Sequence, residues 1–377
     1  MDTNSTIHNL FALVRLGIES AKANDKNGLL LLNLSMTQWR ELMSLAERQG
    51  VAAIVFDGVQ RLYDAHKSEI KAAKENPQEW IQWVFECTGT MTQCEQMNMH
   101  QQKVIGKLAE IWHKNGIKMM VFKGQANGSM YSNPLHRAPG DIDCYLFGDA
   151  DKGDSIMAVQ GADVTNNWYR HSKISFRGET IENHRVLGHT RGSKAKKGME
   201  KELITLLNPS DMTTLEGCGT ALQPQVQFNA HFLIYHALHH FTSEGLRLKQ
   251  IVDWAVFFQA QQDKVDSNAF NDFCRRYKLD RFAAVMNYIV VRYLGVVGHT
   301  DVTDDTNNVA ALAEKVLKST FYDDDYVFNS SKGDWTVRWL LVKNMLGHDR
   351  WKYEEVAQKN IWSHLWHSAT GFLMDKD

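Results

Sequence analysis

Apolar residues recur at helical spacing over most of this chain. Ser35-Met36-Thr37-Gln38 reads as a capping box, after which Trp39, Leu42, Met43 and Ala46 fall on one face of a helix that Gly50 ends. The same periodicity predicts helices over 51–65, 78–88 and 92–114, the last stopping at Asn115-Gly116. From Phe228 to Phe258 the pattern runs through Phe232, Leu233, His236 and Ala237, then Ile251, Trp254, Ala255 and Phe258. Its break at Ser243-Glu244-Gly245 predicts two packed helices. The prolines (Pro77, Pro134, Pro139, Pro209, Pro224) stop at 224, so the tail beyond is expected to be mostly helix, with tail tryptophans (Trp335, Trp339, Trp351, Trp362, Trp366) in helix cores.

Only the middle of the chain changes period. Ile117 to Phe122 and Ile142 to Phe147 are short apolar runs, and Lys173–Phe176 with Thr180–His184 alternate in period two around Arg177-Gly178-Glu179, a hairpin pattern. The expected fold is α+β and mostly α overall. A small mixed β-sheet core at 113–190 lies between an N-terminal helical region, 1–112, and a C-terminal helical domain, 191–377. The polar stretch 300–308 and Asp323-Asp324-Asp325 read as solvated loops.

Composition narrows the class. With 377 residues, 44% hydrophobic and 23% charged, the chain is an ordinary globular protein, which excludes disordered and collagen-like classes. Lys plus Arg (42) balance Asp plus Glu (44), so a formal charge of −2 offers no basic field for a long nucleic acid or an anionic membrane. The opening MDTNSTIHNL has no signal-peptide pattern, and the most apolar later run, Phe282–Gly298, is interrupted by Asn287 and Arg292. Five scattered cysteines without a C-x-x-C pair suit a reducing compartment, so a cytoplasmic protein off the membrane is expected.

The chemistry concentrates around Gly140-Asp141-Ile142-Asp143. In a strand, Asp141 and Asp143 project from one face while Ile142, Cys144 and Leu146 anchor the other. Two adjacent carboxylates raise each other's pKa unless a cation lies between them, and Mg²⁺ or Mn²⁺ prefers such oxygen ligands. By itself the D-x-D spacing fits a solvated acidic strand equally well. The context favours a site: Lys123-Gly124 ends an apolar strand where a helix can start, Arg137 lies four residues before Asp141, and Glu182 offers a third carboxylate. His184 shares a strand face with Glu182, and His171 and Lys173 are candidate substrate contacts. His231, His236, His239 and His240 lack an H-E-x-x-H pattern and read as core or cleft residues. The basic stretch Arg185–Lys201, with Arg191 and only Glu200 opposing, fits either a solvated loop or a cover over a phosphate-bearing substrate.

Gly124, Asp141-Ile-Asp143 and Glu182 resemble the glycine-loop, D-x-D and third-carboxylate layout of the polymerase-β-like nucleotidyltransferase superfamily. More narrowly, Phe122-Lys-Gly124, Tyr131, Pro134, Arg137–Asp143 and Ile181-Glu-Asn-His184 are similar to a bacterial family of uncharacterised nucleotidyltransferases. The likeness extends to Trp39–Leu62, His236–Asp253 with Arg247, and Trp351-Lys-Tyr353. Gln125 stands where the superfamily carries Gly or Ser. The resemblance implies transfer of a nucleoside monophosphate from an NTP to a hydroxyl acceptor, small molecule or protein, with release of pyrophosphate. It further implies two Mg²⁺ (or Mn²⁺) ions on Asp141, Asp143 and Glu182, with Lys123, Gly124, Gln125 and Arg137 on phosphate; ATP is the default nucleotide because it is abundant. A D-x-D glycosyltransferase would need alternating strands and helices before the motif, where this chain has helices. A non-catalytic, antitoxin-like or scaffolding relative would be free to lose the three carboxylates.

Overall fold

The computed structural model describes residues 3–166, 169–188, 194–298, 306–322 and 346–362. Before the sheet come α1 (Thr3–Gly17), α2 (Lys26–Leu31), α3 (Met36–Arg48), α4 (Ala52–His66), α5 (Lys71–Glu75) and α6 (Pro77–Lys114). The capping box forms at α3: the Ser35 hydroxyl accepts from the Gln38 N–H, and the Gln38 side chain accepts from the Ser35 N–H at 2.8 Å. Trp39 is fully buried, its ring 5.6 Å from those of both Trp80 and Trp83 on α6. Where α1 crosses α4, a Cβ on Gly58 would lie 2.2 Å from the Leu13 carbonyl oxygen, so only glycine permits the approach.

The two helices expected over 78–88 and 92–114 are one. α6 runs for 38 residues, about 57 Å at 1.5 Å per residue. Gly89 weakens the local preference, but each half of the helix has its own surface to cover, and that packing keeps it continuous. The first half packs on α3 and α4; the second lies under the sheet.

That sheet contains β1 (Met120–Val121), β2 (Ile142–Tyr145), β3 (Asp163–Thr165), β4 (His171–Phe176) and β5 (Glu179–His184), with α7 (Gly124–Gly128) after β1 and α8 (Ala150–Val159) after β2. The spatial order is β1-β2-β5-β4-β3, with β2 and β5 parallel and the other pairs antiparallel. β4 and β5 form the expected hairpin through Arg177 and Gly178, both at positive φ (52° and 83°), the geometry of a turn that matches strand twist. β1 is shorter than its apolar run, and its edge is covered by Leu222, which donates to Met119 at 2.8 Å and accepts from Val121 at 2.9 Å. Ile142, Cys144, Ile174 and Ile181 bury one sheet face against Ile105, Leu108 and Trp112 of α6 and Met157 of α8.

The C-terminal part supplies α9 (Lys194–Thr205), α10 (Val226–Ser243), α11 (Leu248–Gln261), α12 (Ser267–Tyr277), α13 (Asp280–Arg292) and α14 (Thr306–Tyr322), and α10 and α11 meet at the expected break. The helices of 1–112 and 191–377 share one continuous core running from Leu10, Trp39 and Phe56 to Phe228, Phe257 and Phe282. Gln49 ties them directly, accepting from the Leu248 N–H at 2.8 Å and donating to the Thr320 carbonyl at 3.0 Å. Trp351 packs its ring 5.6 Å from Phe241, whereas Trp362 is 60% exposed. Arg191, residues 299–305, Asp323–Asp325, Trp335, Trp339 and Trp366 lie outside the described residues. Among the described residues no helix is long and apolar enough to cross a membrane.

Candidate active site

The second face of the sheet is polar because its side chains alternate with the buried set. Parallel pairing of β2 with β5 sets Asp143 opposite Glu182 and Tyr145 opposite His184, and β4 sets Lys173 opposite Glu182 and His171 opposite His184. Asp141 enters this face one step before β2. The result is one wall of a cleft of about 600 Å³, whose opposite wall is built from α10 and the start of α11.

Several contacts hold the wall in place. Phe122 is fully buried, with ring contacts to His184 at 5.0 Å and Phe232 at 5.2 Å. Lys123 then adopts φ 59°, ψ −137°, a sparsely populated conformation, and sends its Nζ to Asp143 Oδ1 at 2.6 Å. His184 Nε2 reaches the same oxygen at 3.0 Å, and its Nδ1 faces the Val186 carbonyl at 3.2 Å. His171 Nε2 lies 3.3 Å from Glu182 Oε1.

These contacts drive the carboxyl groups apart in acidity. Burial works to raise Asp143, but the Lys123 ammonium and the His184 hydrogen bond outweigh it and hold the group below the usual carboxylate range. Asp141 goes the other way, lifted by burial and by the like charges of Glu182 and Asp143. Burial of Glu182 is overcome by its bond to His184, leaving it lowered, and burial brings the His171 imidazole down to about 4. Asp141, Asp143 and Glu182 share this wall, but the one His/Cys/Asp/Glu group among the described residues whose donor atoms all lie within 4.8 Å of one another is His171, Glu182 and His184, so an ion shared by the three carboxylates would have to draw them together.

A family model for uncharacterised nucleotidyltransferases matches residues 35–295. The chain belongs to this family. No curated protein and no solved structure matches it. The matched span includes both walls of the cleft, from the Lys123 turn to α11.

Lys123, Gly124, Asp141, Asp143, His171 and Glu182 line this one cleft, and His184 is buried beside them. Three expected residues are placed otherwise. The Arg137 guanidinium reaches the cleft floor but forms a buried bidentate pair with Asp253, 2.8 Å from Nε to Oδ1 and 2.8 Å from Nη2 to Oδ2, while Tyr131 donates to Asp253 Oδ1 at 2.7 Å. Gln125 turns into the fold and donates to Asn98 Oδ1 at 2.6 Å and Gln101 Oε1 at 3.2 Å, which fastens the glycine turn to α6. Lys173 is exposed beside the cleft and outside its lining.

The cleft also has residues that the sequence pattern does not single out, Arg170 and Lys249, and two noted only as part of the family likeness, Arg247 and Asp253. Arg247-Leu-Lys249 directly after the α10–α11 break is the one local signal for them. Burial, reinforced by Arg137, presses Lys249 down to about 7, the kind of perturbation that marks a site. The histidines of α10 divide: His231 is core, 4.2 Å from the Phe273 ring, while His236, His239 and His240 line the cleft, with Nε2 of His236 and His240 3.0 Å apart.

Proposed function

We propose that this protein transfers a nucleoside monophosphate from an NTP to an acceptor hydroxyl, on a small molecule or a protein, and releases pyrophosphate. The observation that carries this reading is the parallel pairing of β2 with β5, which sets Asp143 opposite Glu182 in a cleft that Arg170, Arg247 and Lys249 also line. Asp141, Asp143 and Glu182 would hold two Mg²⁺ (or Mn²⁺) ions. Ions bound there would neutralise phosphate charge and sharpen the acceptor hydroxyl as a nucleophile.

The protein's own groups do the rest. Lys123 and His184 keep Asp143 ionised, so its carboxylate is available at neutral pH. Lys123 also lines the cleft, where its ammonium would meet a phosphate group. Gly124 leaves the cleft floor open, since an added Cβ would find only the Asp141 carbonyl oxygen, at 3.7 Å. Arg170, Arg247 and Lys249 line the same cleft as the carboxylates and would suit the charge that accumulates on departing pyrophosphate. Arg137 is a positioning residue here: through Asp253 it holds α11, and with it Arg247 and Lys249, against the sheet. Balanced charge argues against a long nucleic-acid acceptor, and the buried free thiols Cys87, Cys144, Cys218 and Cys274 suit the cytoplasm.

Calorimetric titration in Mg²⁺ against the four triphosphates and against UDP- and GDP-sugars tests the reading, ATP first. Triphosphate binding that is lost in Asp141→Ala supports it. Binding of nucleotide sugars without triphosphates refutes it in favour of glycosyl transfer. Triphosphate binding with no transfer of label from α-³²P-ATP to any fraction of a cell extract refutes the catalytic part and leaves a binding protein.

A further inference from the structure

The hairpin places two imidazoles beside Glu182. In the β4–β5 register His171 is opposite His184, and Glu182 lies two residues before His184 on the same face. One donor atom from each of the three lies within 4.8 Å of the others, the one such group among the described residues. His171 Nε2 is 3.3 Å from Glu182 Oε1, and His184 Nε2 is 3.5 Å from Glu182 Oε2. Two bonds of about 2.1 Å at a tetrahedral angle separate their donor atoms by about 3.4 Å, so these spacings are those of ligand pairs around one small ion.

His184 is prepared as a ligand. Its side chain is wholly buried, and its Nδ1 is 3.2 Å from the Val186 carbonyl, a partner that only accepts. With an N–H on Nδ1, Nε2 points at Glu182 and at Asp143 Oδ1, 3.0 Å away, and the proton it shares with that carboxylate is the one a metal ion would displace. A backbone carbonyl on the far nitrogen is the usual arrangement behind a metal-bound imidazole; the Lys123 ammonium already serves Asp143 Oδ1 at 2.6 Å, so an ion there would take its carboxylate from Glu182, with Asp143 only at its edge.

We propose that His171, Glu182 and His184, with Asp143 at its edge, form a mixed nitrogen–oxygen site for a first-row transition ion such as Mn²⁺, Co²⁺ or Zn²⁺. From the nucleotidyl-transfer reading it takes only the role of Glu182 as a ligand. Mg²⁺ favours oxygen donors and sheds water reluctantly, whereas imidazole suits the transition ions, so the ion on the Glu182 side differs in kind from one held by Asp141 and Asp143. The rival arrangement is an imidazolium at His184, with a second proton on Nε2 shared between the two carboxylates and no metal bond to nitrogen.

The test uses the full chain stripped with chelator, then titrated with Mn²⁺, Co²⁺ and Mg²⁺ with and without a non-hydrolysable ATP analogue. Bound Mn²⁺ is read by pulsed electron paramagnetic resonance for ¹⁴N coupling, and Co²⁺ by its visible absorption. The expected result is at least tenfold tighter binding of Mn²⁺ or Co²⁺ than of Mg²⁺, with ¹⁴N coupling that weakens in His171→Ala and persists in Asp141→Ala. His171 lies at the cleft surface, so this variant avoids the folding risk of replacing His184. Absence of ¹⁴N coupling, equal affinity for Mg²⁺, or coupling unchanged in His171→Ala overturns the site in favour of the imidazolium. Mg²⁺–ATP binding without ¹⁴N coupling removes this site alone, while coupling without any triphosphate binding removes the nucleotidyl-transfer reading and keeps the site.

Discussion

Replacing Asp253 by Leu strands the Arg137 guanidinium in the interior. Asp253 is 5% exposed and Arg137 8%, and the carboxylate accepts three hydrogen bonds, two from Arg137 and one from Tyr131. Removing one partner of such a pair leaves a buried charge uncompensated and costs about 3–5 kcal/mol, and Arg137→Met should cost a similar amount by exposing Asp253 to the same penalty. The double variant Arg137→Met/Asp253→Leu removes both charges and loses mainly the Tyr131 bond, about 1 kcal/mol. The double therefore falls far short of the summed singles, by about 5 kcal/mol or more. Urea unfolding of the four proteins closes the cycle, and calorimetry with Mg²⁺–ATP on the folded variants supplies the second readout. If Arg137→Met leaves the urea midpoint unchanged and weakens triphosphate binding more than tenfold, Arg137 is a phosphate ligand and the positioning argument is wrong.

Two further outcomes concern pH. His136 is buried with Nδ1 2.8 Å from Asp57 on α4 and Nε2 3.0 Å from Glu95 on α6; burial works to lower its pKa, but these two carboxylates prevail and raise it above 6.5. The folded state then holds a proton that the unfolded chain has released, so this contribution is complete below pH 6.5 and fades as pH rises through the folded pKa; His136→Gln should flatten that part of the stability–pH curve, and an unchanged curve would show that the imidazolium contributes nothing. Lys249 has the opposite sign: between about 7 and its ordinary 10.5 the unfolded chain binds the extra proton, so stability climbs with pH. Lys249→Met should raise the urea midpoint at pH 7, remove the climb to pH 9.5 and weaken ATP binding, whereas a wild-type midpoint that does not move between those pH values would place the ammonium in water.

Features set by neighbours along the chain are legible in the sequence itself. The Ser35–Gln38 capping box, the β4–β5 turn at Arg177-Gly178 and the shared face of Asp141 and Asp143 each depend on residues within a few positions, where period and turn chemistry act directly. The mostly helical α+β class follows from the same local periods. By pattern α6 divides in two because Gly89 is a local signal for a break, while the packing surfaces that keep it whole are contributed by distant segments. Arg137 reads as a phosphate ligand for the same reason: its partner Asp253 lies 116 residues away, and nothing in the Arg137 neighbourhood announces a buried carboxylate. Gln125 sits by position in a phosphate turn, yet its amide is held by Asn98 and Gln101 on a helix more than twenty residues earlier in the chain. The parallel register that brings Glu182 to Asp143, and the cleft wall of α10 and α11, belong wholly to the tertiary structure. A strand or helix pattern specifies which face is apolar, but which polar face it meets is decided by the shared core, where burying the apolar sides of all these elements together leaves one arrangement of their polar sides.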